Sequence, residues 1–289
     1  ERSATELARR ALDDVPRLVA LLRGDEEHGR LGACAAVIEL GPRAADAVPA
    51  LRAALDDGSL WVRVRAAEAL AAAGRAAVPA VPRLLRMLAR EDPETDPRGM
   101  EERYLCFALF DRRDGLLSRS LEGVDRELLY EAVRAGLANE DGRARGTLGS
   151  VYRNLSSEEI EPLLPAIHRA VMEPAPSGIM FADGIRLTGL AVLARHRIAE
   201  GLPACLDLID PDRWGMRSRV RPCLDALRAY GGAARSQIPR LERLPEELAA
   251  RRWSPEEIDA LGIPALVAAI RADEDPPVLR SISSVGGGG

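Results

Sequence analysis

Apolar residues recur three and four positions apart through most of the chain, in segments that are too short for long helices. The segment Val15–Leu22 has leucines at 18, 21 and 22, which is the spacing of one buried helical face. Pro16 suits the first turn of that helix, because proline fixes φ and needs no N–H partner there. A second apolar segment, Gly29–Leu40, ends at Gly41-Pro42. The pattern predicts a helical hairpin.

The same hairpin pattern returns at an offset of 33 residues. Val48-Pro49 corresponds to Val15-Pro16, Arg63 corresponds to Arg30, and Gly74 corresponds to Gly41. Alanines at 33 and 36 are matched by alanines at 66 and 69, and we expect all four to face the core. Agreement in both residue identity and spacing indicates an internal repeat, in which each unit stacks on its neighbours.

Further Val-Pro or Leu-Pro starts extend this organisation along the chain. We predict a solenoid over residues 1–245, a helical cap over 246–277 and a flexible Ser/Gly tail over 278–289. A start at Ile238-Pro239 is followed by no complete hairpin pattern. The third hairpin is irregular, and its segment Asp111–Gly123 is expected to extend over the surface. The predicted hairpins lie near 15–47, 48–80, 81–123, 124–163, 164–201 and 202–237.

The repeated pattern VPxLxxLL, R(x)₂AAxAL and a closing Gly resembles HEAT repeats, in particular the short phycobilisome-lyase-type repeats of bacterial proteins. It lacks the TPLH turn of ankyrin repeats and the Trp, Leu-Gly and Tyr positions of tetratricopeptide repeats. The resemblance implies an all-α solenoid of about six hairpins with a concave face. It also implies that the recurring arginine bonds between repeats to an Asp in the preceding turn. The arginines are Arg30, Arg63, Arg145 and Arg186, with Asp57, Asp141 and Asp183 near the last three.

Composition supports an all-helical chain and narrows its function. Aromatic residues are only 3% of the sequence, and the β-branched and aromatic runs of strands are missing. All 40 basic residues are Arg, yet the net charge is −5 and the pI is about 5.5. This balance disfavours a dedicated nucleic-acid binder, which is usually basic. No apolar run is long enough for a membrane span, and we expect a cytoplasmic protein.

The cysteines and histidines do not form a catalytic or metal-binding motif. Cys34, Cys106, Cys205 and Cys223 lie in apolar helical segments and form no CxxC pair, so we expect buried reduced thiols. A disulfide between Cys205 and Cys223 is the less favoured alternative. The histidines at 28, 168 and 196 lack the His-Glu pairs that hold two irons in the HEAT-repeat enzyme deoxyhypusine hydroxylase. We therefore predict no catalytic residue, metal or cofactor.

One cluster, which consists of four arginines and Trp214 before and at the start of a predicted helix, has the composition of a binding surface. Trp and Arg are enriched at binding hot spots, and arginines can also stack on bases. The simpler interpretation is a solvated turn whose Trp packs on the next repeat, as Trp61 in a comparable turn suggests. The loops Asp92–Met100 and Pro174–Asp183 are further candidates. The cluster consists of Arg213, Trp214, Arg217, Arg219 and Arg221.

Three functions are compatible with these features. The favoured one is a non-enzymatic scaffold that binds a protein through its concave face and inter-helix loops. The second is a nucleic-acid binder with an Arg-lined groove, which requires the arginines of the cluster to share one basic stripe with those of other repeats. The third is a lyase-like protein acting on a small ligand, for which Cys106, beside the irregular hairpin, is the candidate nucleophile.

Overall fold

The structure is a computed structural model that describes residues 14–90, 96, 98–210 and 215–285, without the side chains of residues 179–183 and 216. Within these ranges the chain is helical. The only extended pairing there is two isolated bridges, from Asp141 to Ser177 and from Ile198 to Arg280. The prediction of an all-α solenoid fold is confirmed. The chain divides into two compact units. Unit 1 covers residues 1–154 and 175–179, and unit 2 covers 155–174 and 180–289.

The described part of unit 1 is built from four successive helical hairpins. The second helices stack on one another in chain order, α2 on α4, α4 on α6 and α6 on α8. The first helices form the other layer, in which α5 packs on α7. The helices of unit 1 are α1 (Val15–Leu22), α2 (Glu27–Leu40), α3 (Val48–Ala54), α4 (Leu60–Ala73), α5 (Val81–Ala89), α6 (Met100–Phe110), α7 (Arg126–Ala138) and α8 (Gly142–Leu148).

Glycine and proline set the limits of these hairpins as the sequence predicts. Gly41 and Gly74 have φ of +58° and +65°, a conformation that a residue with a Cβ rarely adopts. Each glycine ends a second helix, and a 3-10 segment then leads to a helix with proline in its first turn. The alanines at 33, 36, 66 and 69 are completely buried, so their inward orientation is confirmed. Their small side chains allow α2 and α4 to approach closely.

The irregular third hairpin departs from the prediction after α6. The segment that follows does not simply extend over the surface, because it folds back on α6. The N–H groups of Leu116 and Leu117 donate to the carbonyls of Ala108 and Leu109 at 3.0 and 2.8 Å. Leu117 and Leu121 are buried. Two leucines in a charged segment therefore extend the core of unit 1.

Unit 2 repeats the hairpin plan with longer connections. Its central packing includes Tyr230, which is fully buried and donates its hydroxyl to the Ile198 carbonyl at 2.7 Å. The helices are α9 (Ser157–Ile160), α10 (Leu164–Met172), α11 (Ile179–Arg195, which starts at the boundary with unit 1), α12 (Gly201–Asp207), α13 (Met216–Tyr230), α14 (Ile238–Ala250), α15 (Pro255–Asp259) and α16 (Ile263–Ala272).

The end of unit 2 differs from the sequence prediction in two respects. A complete pair of packed helices does follow Ile238. These helices are α14 and α16, and the short α15 lies between them in sequence. The described part of the predicted flexible tail is held against the unit. The N–H of Arg280 donates to the Arg197 carbonyl, and its carbonyl accepts from the Ala199 N–H, both at 2.8 Å. Glu200 accepts from the Ser281 hydroxyl at 2.6 Å.

Candidate functional site

The Arg-rich cluster predicted as a binding surface is only partly within the described residues. Arg213 and Trp214 lie outside them, as do most residues of the candidate loop Asp92–Met100. Arg217 lies on α13 and forms an ion pair with Glu257. It also donates to the Arg252 carbonyl at 3.0 Å, and its guanidinium lies 4.7 Å from the centre of the Trp253 ring. These contacts attach the segment around α15 to α13.

The other two arginines of the cluster also contact their own unit. Arg221 donates to the Ala260 carbonyl at 2.9 Å. Arg219 is only 5% exposed and is the fourth residue of α13. In each described hairpin of unit 1, the fourth residue of the second helix is also an arginine. These residues are Arg30, Arg63, Arg103 and Arg145. Arg219 thus occupies the repeated position, while Arg217 and Arg221 hold the C-terminal helices.

The repeated arginine bonds mainly to its own turn. Arg30 and Arg63 donate at 3.0 Å to the carbonyls of Gly24 and Asp57, each six residues earlier. Arg145 donates at 2.6 Å to the carbonyl of Asn139 at the same spacing. Arg186 contacts the end of α10 instead, donating to the Val171 carbonyl at 2.7 Å.

The carboxylate partner of this arginine comes from the following repeat, whereas the resemblance implied the preceding turn. Arg30 pairs with Asp57 at 2.6 Å, and Arg63 pairs with Glu101. Arg103 pairs with Asp141 at 3.2 Å. Arg103 was not predicted as a member of this set, because the irregular loop before α6 interrupts the regular spacing of the repeats. Its position four residues after Gly99, where α6 starts, is the feature of the sequence that could have identified it.

The cysteines are free and buried, as predicted. Burial raises the pKa of the Cys34 and Cys223 thiols to about 12, and burial raises the pKa of Cys205 and Cys106 further. At Cys106 the nearby Glu102 carboxylate acts in the same direction. A nucleophilic cysteine needs a lowered pKa and access to its substrate. Cys106 therefore has the environment of a core residue.

Two negative observations hold for the described part of the chain. There, no group of three or more His, Cys, Asp and Glu residues is arranged to hold a metal ion. Among the helices of the same ranges, none combines the length and the apolar character required to cross a bilayer.

An aromatic patch with one exposed side chain and three half-buried ones lies on the second-helix layer of unit 1. It consists of Trp61 on α4 and of Arg103, Tyr104 and Phe107 on α6. The ring centres of Trp61 and Tyr104 are 6.5 Å apart, and those of Tyr104 and Phe107 are 5.9 Å apart, both edge to face. The Arg103 guanidinium lies 5.6 Å from the centre of each ring on α6. Trp61 contacts a residue of the next repeat, as the simpler interpretation of its turn expects, and it is still 48% exposed.

An arginine pocket opens beside this patch, where the turn between α3 and α4 faces α5. Its cavity volume is about 360 Å³. Arg83 and Asp56 form an ion pair across it, and Arg63 and Glu101 form another. The remaining cationic side chains of the lining are Arg86 on α5 and Arg90 directly after it, and both are exposed. Neither Arg86 nor Arg90 could be identified from the sequence, because the pocket exists only where α5 packs beside the turn between α3 and α4.

Comparison with known proteins agrees with the geometry of unit 1. The family model for HEAT repeats matches residues 15–104. A search of curated proteins returned no significant match. The matched segment runs from α1 into α6 and contains the whole lining of the arginine pocket and all of the aromatic patch except Phe107. This part of unit 1 is therefore similar to HEAT repeats.

Proposed function

We propose that this chain is a protein-binding scaffold and that its aromatic patch is the centre of the binding surface. HEAT repeats commonly serve as protein-interaction scaffolds. The observation that carries the proposal is the exposure of Trp61. The Trp61 residue is 48% exposed to solvent, whereas a core residue is almost fully buried. Aromatic residues are only 3% of the sequence. Solvent exposure of a large aromatic side chain is unfavourable unless a partner covers it.

The chemistry of the patch suits a protein partner. Trp, Tyr and Arg are the residues that most often dominate binding energies at interfaces. The rings are held edge to face and the Arg103 guanidinium is fixed by Asp141, so little side-chain entropy is lost on binding. A rigid, partly apolar surface with one cation favours a partner that supplies apolar side chains and an acceptor.

The nucleic-acid alternative receives less support. Arg217 is paired with Glu257, and Arg219 is buried, so neither is displayed as part of a basic stripe. Arg221 donates to a backbone carbonyl of its own unit. The net charge of −5 also differs from the basic charge that nucleic-acid binders usually carry. The two remaining members of the cluster, Arg213 and Trp214, stay a prediction.

The proposal is tested by capture of partners from lysate of the source organism on the immobilised full chain, after nuclease treatment. The test variant is Trp61→Ala with Tyr104→Ala, and the matched control is Val78→Ala, which also removes an exposed apolar side chain from unit 1. We expect one stoichiometric protein that the control retains. Its affinity for the double variant should fall about thirtyfold, since loss of a hot spot costs about 2 kcal/mol.

Equal capture by wild type and double variant would contradict the use of this patch. Partners that disappear on nuclease treatment would instead support the nucleic-acid alternative. Melting temperatures of the three proteins should agree within a few degrees, because the substituted side chains are not in the core.

A further inference from the structure

We infer that the arginine pocket receives a carboxylate-bearing, acidic segment of the protein partner. The inference rests on the proposed protein-binding function and specifies the chemistry of that partner. The pocket is lined by Leu55, Asp56, Asp57, Gly58, Arg63, Arg83, Arg86, Met87, Arg90 and Glu101.

The charges of the lining do not cancel. All three carboxylates already have a cationic partner: Asp57 pairs with Arg30, Glu101 with Arg63 and Asp56 with Arg83. Arg86 and Arg90 form no hydrogen bond or ion pair with any described residue. The pocket therefore displays two guanidinium groups whose charge is not balanced by the lining.

The two guanidinium groups are placed to act together. Arg86 lies on the last turn of α5, and Arg90 is the extended residue that follows the end of this helix. Both line the same pocket, where Met87 and Leu55 supply apolar surface. An arginine binds a carboxylate through two parallel hydrogen bonds, and two arginines in one pocket match two neighbouring acidic side chains or one acidic side chain and a backbone acceptor.

The size and composition of the pocket favour an acidic peptide over a nucleic acid. A cavity of about 360 Å³ accommodates a few side chains. A nucleic acid needs cationic contacts repeated along its chain of phosphates, whereas this pocket supplies two guanidinium groups at one place. The aromatic patch lies close by, since the Arg63–Glu101 pair joins the same two helices as the Trp61–Tyr104 contact. A partner covering the patch can therefore place an acidic residue in the pocket.

The test uses the full chain and a short fluorescein-labelled poly-glutamate peptide, with binding followed by fluorescence anisotropy at low salt. A labelled poly-glutamine peptide of equal length is the uncharged control. We expect Arg86→Ala with Arg90→Ala to weaken poly-glutamate binding about tenfold or more, because the charged hydrogen bonds of both guanidinium groups are lost. Poly-glutamine should not bind.

A matched control separates the pocket from the general charge of the protein. Arg23→Ala with Arg52→Ala makes the same change in net charge and removes two exposed arginines of unit 1 that do not line the pocket. This control should bind poly-glutamate like the wild type. Arg86→Lys with Arg90→Lys retains the charge but loses the bidentate geometry, and we expect an intermediate affinity.

Several outcomes would overturn the inference. One is equal loss of affinity in pocket and control variants, which would show attraction by overall charge. Another is tighter binding of a labelled DNA duplex than of poly-glutamate. A third is unchanged peptide binding with a lower melting temperature in the pocket variant, which would assign Arg86 and Arg90 to contacts within the chain. Glu91, Asp92 and Glu94 follow them in sequence, outside the described residues.

The partner capture described above fails or succeeds independently of this experiment. If Trp61→Ala with Tyr104→Ala no longer captures the protein, but poly-glutamate binding is unaffected by the pocket substitutions, the scaffold function is supported and the acidic specificity is wrong. If poly-glutamate binds the pocket and no protein depends on the aromatic patch, the pocket is an anion site and the proposed patch is wrong.

Discussion

At the scale of single residues, one arginine position performs a repeated structural task. The side chain satisfies carbonyl groups at the end of the hairpin turn, where the chain leaves the helix and its acceptors would lack partners. It also reaches a carboxylate on the next repeat, as Arg30 reaches Asp57. The position thus joins the turn of one hairpin to the next hairpin. Arg86 and Arg90 lie outside this position, make no such contacts with the described residues and are available for binding.

Arg145 allows the structural task to be measured. Its Nε donates to the Asn139 carbonyl at 2.6 Å, and the side chain is 8% exposed. Arg145→Ala should lower the free energy of unfolding by about 1–3 kcal/mol, because a buried acceptor loses its donor. Urea unfolding measures the difference. Arg153→Ala, at an exposed position of the same unit, should change stability by less than about 0.5 kcal/mol. Equal effects of the two substitutions would contradict this role.

At the scale of elements, small residues decide how closely the helices of a hairpin approach. The clearest case in unit 2 is Gly189 on α11, which faces α10. A Cβ at this glycine would lie 2.6 Å from Val171 Cγ2 and 3.3 Å from Ile167 Cγ2. Gly184 is on the same helix, and a Cβ there meets no described atom within 4 Å. The two glycines therefore differ in packing, although both are helical.

Alanine at these two positions should have opposite effects. Gly189→Ala forces α10 and α11 apart and should destabilise the protein by about 1–3 kcal/mol. Gly184→Ala should stabilise it by about 0.5–1 kcal/mol, because alanine has the better helix propensity. Thermal unfolding of the two variants under identical conditions measures the contrast. If both substitutions stabilise the protein, the close contact between α10 and α11 is absent in solution.

At the scale of the whole molecule, the segment near the C-terminus is attached to unit 2 by charged groups. Arg280 makes two hydrogen bonds to Glu161, at 2.9 and 3.2 Å, and also donates to the His196 carbonyl. The Arg280 hydrogen bonds, joined by that of the His196 ring, lower the pKa of Glu161 below its ordinary value. Desolvation raises the pKa of Glu200, but hydrogen bonds from Ser281 and from backbone N–H groups outweigh it and lower the pKa overall.

This attachment should depend on pH. A carboxylate whose pKa is lowered by folding contributes stability above its unfolded pKa of about 4.3, and loses it as the pH falls through its lower folded pKa. The protection factors of residues 278–285 in hydrogen exchange, which correct for the intrinsic rate at each pH, should therefore be high at neutral pH and fall below pH about 4, before unit 2 unfolds. Arg280→Ala should accelerate exchange already at neutral pH. Slow exchange in that variant would show that the ion pair does not hold the segment.

The four cysteines report separately on the two units. Cys34 and Cys106 lie in unit 1, Cys205 and Cys223 lie in unit 2, and all four are buried with raised pKa values. A thiol-specific reagent at neutral pH should react only after a unit opens. Mass spectrometry of labelled peptides during urea unfolding should show one rate for each pair. Rapid labelling of Cys106 in the native protein would support the lyase-like alternative.

The sequence by itself determined the helical hairpins, their Val-Pro starts, their glycine ends and the buried alanines. These features depend on local backbone preferences and on a helical period that is visible within a few turns. Only the tertiary structure decided which side chains meet across repeats. Arg30 finds Asp57 rather than its own turn's Asp25 side chain, and Arg280 finds Glu161, 119 positions away. The aromatic patch and the arginine pocket arise in the same way, because stacking of helices places distant side chains together at spacings that no local pattern encodes.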